Sequence, residues 1–223
     1  ITNNRVNHIV NGKDNTGNLY NYENASSFIK NVNLNYCHLI TADGGFDYSK
    51  DYNSQENSSY KLIYSEIYIA LNIQKIKGNF IIKIFDIFNY KTIQLIYLLY
   101  NCYSIIEFYK PLTSRLSNSE KYVICSSFQG CPQLIKDTLK KYYNNCEDLH
   151  IDVPQSFIND IIQFNDSFVS TQISSIHEIL KNIDNTSPQT PSKHQISSAL
   201  KWCELYNLPV NEKCIYLKKN SYF

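Results

Sequence analysis

Apolar and polar positions alternate along this chain in two rhythms. Between Tyr60 and Lys77, the residues Leu62, Ile63, Ile67, Ala70, Leu71 and Ile73 recur three and four positions apart. That spacing predicts a helix, with Gly78 suited to its C-terminal stop. Asn79 to Phe88 is then a continuous apolar run broken by Lys83 and Asp86. Its length and β-branched content predict a strand buried on both faces. Lys91 to Tyr103 reads as a second helix, Ile105 to Tyr109 as a short strand, and Lys121 to Phe128 as a last strand after the loop opened by Pro111. Upstream, residues 1–22 are polar, with Gly12 and Gly17 as breakers, and read as loop. Glu23 to Val32 fits a short helix, Tyr36 to Ala42 a strand, and Asp47 to Ser59 a polar connection.

The order strand, helix, strand, helix, strand, strand predicts an α/β fold with a parallel sheet. The last two strands have no helix between them, so the final one is expected to be antiparallel. An antiparallel strand starts at the edge where its parallel neighbours end. Asp43, after the first strand, and Glu120, before the last, therefore fall on one edge, where open α/β sheets bind ligands. Beyond residue 130 the chain reads as a helical extension. Val169, Ile173, Ile176, Leu180 and Ile183 form an amphipathic stripe with Asn165 or Asp166 as candidate cap. Asp184 to Lys193 reads as a linker, and Gln195 to Tyr206 as a further helix ahead of Pro209. His177 and Trp202 fit helix packing.

Composition sharpens these positions. The 223 residues carry a formal net charge of +1, so RNA or DNA binding would need a local patch. Asn is abundant, at 27 residues, whereas Arg occurs twice and Gly six times. Against that bias, Arg115 and the adjacent Gly44 and Gly45 stand out. Seven scattered cysteines without a Cys-x-x-Cys pair or a His cluster argue against a zinc site or a disulfide framework, and fit reduced thiols in an intracellular protein. No apolar run approaches the roughly 20 residues that cross a bilayer, and no signal peptide is evident. The chain begins at Ile1 and contains no Met, which leads us to expect a longer natural protein.

Three charged stations sit at or in predicted strands: Asp43 in Thr41-Ala42-Asp43-Gly44-Gly45, Lys83 in Ile81-Ile82-Lys83-Ile84-Phe85-Asp86, and Glu120 ahead of Lys121-Tyr122. A buried charge is costly unless paired, so three of them point to a shared site. Taken singly, each has a plainer reading. Asp43-Gly44 fits an ordinary turn, Lys83 an edge-strand lysine, and Glu120 a surface partner of Arg115 or Lys121.

Taken together, these segments resemble the FtsJ-like ribose 2′-O-methyltransferases, and among them the cap-specific mRNA enzymes. Thr41-Ala42-Asp43-Gly44-Gly45-Phe46 resembles the strand-end aspartate segment, Lys83-Ile84-Phe85-Asp86 the central lysine strand, and Lys110-Pro111-Leu112-Thr113-Ser114-Arg115 with Asn118-Ser119-Glu120-Lys121-Tyr122-Val123 the signature loop and glutamate. Leu116 stands where the pattern usually has Pro. Asn165 to Asn182 and the stretch around Trp202 and Pro209 are similar to the helices that follow the domain in animal-type cap enzymes. The resemblance implies the C-terminal part of a Rossmann-like S-adenosylmethionine-dependent methyltransferase sheet over residues 1–130, with a helical extension over 131–223. It implies a catalytic role for Asp43, Lys83 and Glu120, three of a Lys-Asp-Lys-Glu tetrad. The first lysine and the glycine-rich cofactor loop are expected upstream, so that this piece alone is inactive. Asn18 and Asp43 are the candidates for cofactor contact, Asn18 standing where the family has an acidic residue. Arg115, Ser117 and Asn118 are the candidates for RNA contact, Arg115 because its planar fork suits phosphate.

The implied reaction moves a methyl group from a sulfonium to a ribose 2′-hydroxyl. The hydroxyl is a weak nucleophile and must lose its proton as it attacks, which a lysine can assist only from its neutral form. The expected partners are capped mRNA and, beyond it, transcription or capping machinery, with no membrane and no metal. The expected location is the nucleus, with the cytoplasm as the alternative. Two other functions stay open at this point: 2′-O-methylation of ribosomal or transfer RNA, and a non-catalytic RNA-binding or scaffold module.

Overall fold

The computed structural model describes residues 9–32, 37–45, 54–111, 113–146, 149–183 and 190–218. The chain forms two compact units, one through Ile176 and one from His177. The first unit extends past residue 130, because Leu139, Tyr143 and Ile161 belong to its core.

In the first unit, α1 (Tyr22–Val32), β1 (Cys37–Ala42), α2 (Gln55–Ile73), β2 (Gln74–Ile84), α3 (Tyr90–Cys102), β3 (Tyr103–Tyr109), β4 (Lys121–Phe128), α4 (Gln133–Lys141) and most of α5 (Gln155–Lys181) follow in order. The sheet runs β1-β2-β4-β3. β1 and β2 are parallel, and β4 is antiparallel to both of its neighbours. This is the α/β sheet expected from the sequence, with its final strand reversed. β4 lies inside it and β3 at the edge, in keeping with the greater burial of β4.

One expectation for β2 is corrected. Phe80, Ile82 and Ile84 are fully buried, but Ile81 and Lys83 on the opposite face are not. The strand therefore alternates. The core joins Phe80, Ile82 and Ile84 to Ile63, Ile67 and Ala70 of α2 and to Leu95 and Leu99 of α3. On the Lys83 face, Leu39 and Ile105 stay 59% and 55% exposed.

The ends of α2 also differ from the sequence reading. The helix starts five residues before Tyr60, because Glu56 is buried and its Oε1 accepts the backbone N–H groups of Phe88 (3.0 Å) and Asn89 (2.9 Å) at the start of α3. At the other end Gly78 is a strand residue, not a helix stop. A Cβ there would lie 2.8 Å from the His38 carbonyl oxygen, so the bare backbone lets β2 pass close to β1. Likewise α5 begins at Gln155, not at Asn165 or Asp166. Asn165 is inside the helix, where its Nδ2 donates to the Ile87 carbonyl at 2.8 Å and ties α5 to the loop after β2. Tyr36, the first residue of the expected first strand, and residues 184–189 of the expected linker lie outside the described residues.

In the second unit, α6 (Lys193–Leu205) starts at a capping box in which Ser192 and Gln195 satisfy each other's backbone N–H groups. The short α7 (Ile215–Lys218) closes it. Among the described residues no helix is long and apolar enough to cross a membrane, and no cluster of three or more His, Cys, Asp or Glu side chains is placed to hold a metal ion.

Candidate active site

The register of β1 on β2 pairs Ala42 with Ile82. One step further, where β1 ends, Asp43 comes beside Lys83. Asp43 Oδ1 lies 2.6 Å from Lys83 Nζ, which also donates to the Asp43 carbonyl at 3.3 Å. The lysine side chain is 14% exposed and the aspartate 63%. An ion pair with so open a carboxylate is worth only about 0–1 kcal/mol. Its consequence is geometric: it points the ammonium to the C-terminal edge of the sheet. A Cβ at Gly45 would come within 3.3 Å of Lys83 Nζ, so the glycine keeps the space over that nitrogen clear.

Across the sheet, β4 pairs Tyr122 with Lys83. The Tyr122 hydroxyl donates to Asp43 Oδ1 at 3.4 Å. Burial, then Asp43 and Glu120, push its phenol up from the usual value. Both carboxylates thus act on one tyrosine. The Glu120 side chain accepts the Ser114 hydroxyl at 3.0 Å, and it forms no ion pair among the described residues. Asp43 and Lys83 are in direct contact. Glu120 shares their edge across Tyr122 and ties that edge to the loop between β3 and β4.

That loop is closed by Lys110. Its Nζ donates to the Asn118 carbonyl (3.0 Å), Asn118 Oδ1 (2.5 Å) and the Glu120 carbonyl (2.6 Å). Burial is the main cause of its lowered pKa. Gln172 of α5 donates to the Ser117 carbonyl at 3.3 Å. Ser117 is therefore held through its carbonyl by Gln172, and Asn118 through its carbonyl and Oδ1 by Lys110, while Arg115 stays exposed at the tip. Behind the loop, Lys121 is almost completely buried. It donates to the Phe85 carbonyl at 2.7 Å, lies 3.7 Å from Asp86 Oδ1, and stands 4.4 Å over the Phe168 ring. Burial lowers its pKa to about 8 and raises that of Asp86, so the distant pair offsets only part of the desolvation of each.

Asn18 and the glycines after Asp43 meet at a second feature. Gly17, Asn18, Leu19 and Tyr20 face Gly44, Gly45 and Leu62 across a cavity of about 260 Å³. Asn18 Oδ1 accepts the Tyr20 backbone N–H at 2.9 Å, and its carbonyl accepts Asn24 Nδ2 at 3.1 Å. The fit to S-adenosylmethionine can be tested on these walls. Two adjacent glycines leave bare backbone against the space, and the cavity borders the Asp43–Lys83 pair. Both features suit part of a nucleoside held next to the sheet edge.

Sequence reasoning missed Tyr122, Lys110 and Glu66. Tyr122 could be placed only with the β2–β4 register. Lys110 was visible in its motif, but its three acceptors depend on how the loop folds back. Glu66 had a signal: it is an acid beside Ile63, Ile67 and Ala70 on the buried side of α2. Its Oε1 accepts the Gly44 N–H at 3.2 Å. Burial, foremost, raises its pKa to about 7; Gly44 and Lys83 act against that and Asp43 with it. The folded state then binds more protons than the unfolded chain between the ordinary value of 4.5 and about 7. Stability therefore falls as pH rises through that window, with a slope of at most about 1.4 kcal/mol per pH unit. Urea unfolding from pH 5 to 8 should show this loss in the native protein and not in Glu66→Gln; equal slopes for the two would contradict it.

The FtsJ-like methyltransferase family matches residues 1–128, more than half of the chain. The chain belongs to this family. It is also similar to named proteins. One is the human protein named cap-specific mRNA (nucleoside-2′-O-)-methyltransferase 1, 31% identical over 203 residues, which cover 83% of this chain and 24% of that protein. A protein of the same name from Xenopus laevis is 33% identical over 177 residues, covering 73% of this chain and 21% of the relative. Another, from Trypanosoma brucei brucei, is 27% identical over 186 residues, covering 78% of this chain and 50% of the relative. The chain thus spans about a quarter of the length of the vertebrate relatives and half of the trypanosomal one. The FtsJ-like sheet is the one described above, and the Asp43–Lys83 pair lies at the edge where its parallel strands end.

Proposed function

We propose that this chain carries the substrate-side half of a cap-specific mRNA ribose 2′-O-methyltransferase, acting on the first transcribed nucleotide of capped RNA. The observation that carries this reading is the contact between Lys83 Nζ and Asp43 Oδ1 at 2.6 Å, at the strand edge of an FtsJ-like sheet. The names of the relatives favour capped mRNA over ribosomal or transfer RNA.

Lys83, in its neutral form, accepts the proton of the ribose 2′-hydroxyl as its oxygen attacks. Asp43 fixes the direction of that amine, and Tyr122 fixes Asp43 from the other side. Glu120 orients the hydroxyl, and its bond to Ser114 couples it to the loop. Arg115, at the exposed tip, meets a phosphate of the RNA, with Ser117 and Asn118 beside it. S-adenosylmethionine, when bound, supplies an electrophilic methyl group. Asn18 and the backbone at Gly44 and Gly45 would hold part of it. Holding both reactants in line at this edge is the larger share of the rate gain.

The test is methyl transfer by the full-length protein to two RNAs of one sequence, capped and uncapped. Strong preference for the capped RNA is expected. Equal transfer to both would remove the cap-specific reading, and no transfer to either would remove the catalytic one.

A further inference from the structure

Glu66 is an acid with no place in the reaction outlined above, yet it stands directly behind the reacting edge. It sits on α2, buried, and its Oε1 accepts the Gly44 N–H at 3.2 Å. Gly44 follows Asp43, the residue that holds Lys83. The approach of main chain to helix is close. A Cβ at Gly44 would come within 2.6 Å of Glu66 Oε1 and 2.7 Å of Leu62 Cδ2, distances that real Cβ atoms do not show. The bare backbone at residue 44 lets the turn rest on α2 with the Glu66 and Leu62 side chains in place. Once it rests there, its N–H needs an acceptor, since water is displaced. Glu66 supplies one from the buried side of α2.

We propose that Glu66 is a positioning residue: by accepting the Gly44 N–H it fixes the turn after β1, and with it the direction of Asp43 toward Lys83 and the Gly44–Gly45 wall of the neighbouring cavity. The kinetic part of this inference rests on the reaction proposed above. The charged groups that face Glu66 are Asp43, beyond the end of β1, and Lys83, from β2. A neutral carboxyl and a carboxylate both accept the Gly44 N–H, but the ionised form does so more strongly and adds a negative charge beside this pair. Burial places that ionisation near pH 7, so the turn feels the change within the physiological range.

Two readouts test the role. Asp43-Gly44 is the one Asp-Gly step in this chain. Labelling Asp at the carbonyl carbon and Gly at nitrogen therefore isolates its amide signal within this chain. In the full-length protein that signal should move with pH around 7, and it should stay flat in Glu66→Gln. The second readout is steady-state methyl transfer to capped RNA. Glu66→Gln keeps an acceptor and should retain most of kcat, while Glu66→Leu should lose about 10- to 10²-fold in kcat with little change in the RNA KM. A Gly44 amide that does not titrate in the native protein would overturn the inference, as would a Glu66→Leu enzyme with native kcat. If the amide titrates as expected but the native full-length protein methylates no capped RNA, the proposed function falls and the structural role of Glu66 stands.

Discussion

Replacing Lys83 by Ala in the full-length protein is expected to abolish methyl transfer to capped RNA, with a loss of about 10²–10⁴-fold in kcat. The expectation follows from where the amine sits. Its side chain is 14% exposed, on a central strand, and is directed by Asp43 at 2.6 Å. No other amine is bonded to Asp43 among the described residues, so a replacement for the lost group is not at hand there. Lys83→Arg separates two readings of the lysine. Arginine keeps the positive charge but does not give up its proton. If Lys83 only attracts Asp43 or the RNA, the arginine enzyme should keep substantial activity. If Lys83 takes the hydroxyl proton, it should be as inactive as the alanine enzyme. Both variants should keep native stability within about 1 kcal/mol, because the pair with the open Asp43 carboxylate contributes little. Single-turnover methyl transfer with thermal unfolding on the same samples measures both.

The largest expected effect on stability is at Lys121. Its ammonium is desolvated, donates to the Phe85 carbonyl at 2.7 Å and faces the Phe168 ring. Lys121→Ala removes a long buried side chain, leaves that carbonyl without this donor and takes the partner from half-buried Asp86. Removing one member of such a buried arrangement costs about 3–5 kcal/mol. Lys121→Met keeps the volume and avoids the cost of burying charge, so it should be much milder. The titration gives a second signature. The folded pKa of about 8 lies below the ordinary lysine value of 10.5. Between these two values the unfolded chain binds more protons, so stability rises with pH there and the penalty is full below pH 8. Urea unfolding of the native protein and Lys121→Met across pH 7.5–10 should therefore converge as the native protein gains. An alanine variant as stable as the methionine one would contradict this account of Lys121.

The same residues show what a sequence carries and what it does not. Ile63, Ile67 and Ala70 declared α2 because helical spacing repeats, and the run through Phe80, Ile82 and Ile84 declared β2 because burial needs apolar side chains. The reversal of β4 was readable from the missing helix between it and β3. The position of β4 between β2 and β3 was not, since it depends on which strand buries more of itself. Gly78 misled because a helix stop and a close strand crossing both require glycine. Asp43, Lys83 and Glu120 stood out as charges among apolar neighbours, and strand direction placed two of them on one edge. The Lys83–Asp43 contact needed the β1–β2 register, and Tyr122 needed that of β2 and β4. Glu66 carried a signal in its apolar surroundings, but its partner is a backbone N–H, which no side-chain pattern displays.

The most direct measurement is the position of the transferred methyl group. Capped RNA treated with full-length protein and S-adenosylmethionine can be digested to nucleosides and cap dinucleotides and read by mass spectrometry. A methyl group on the ribose 2′-oxygen of the first transcribed nucleotide, absent with Lys83→Ala, is the expected result. A methyl group on a base, or on riboses elsewhere in the RNA, would contradict the assignment of this site.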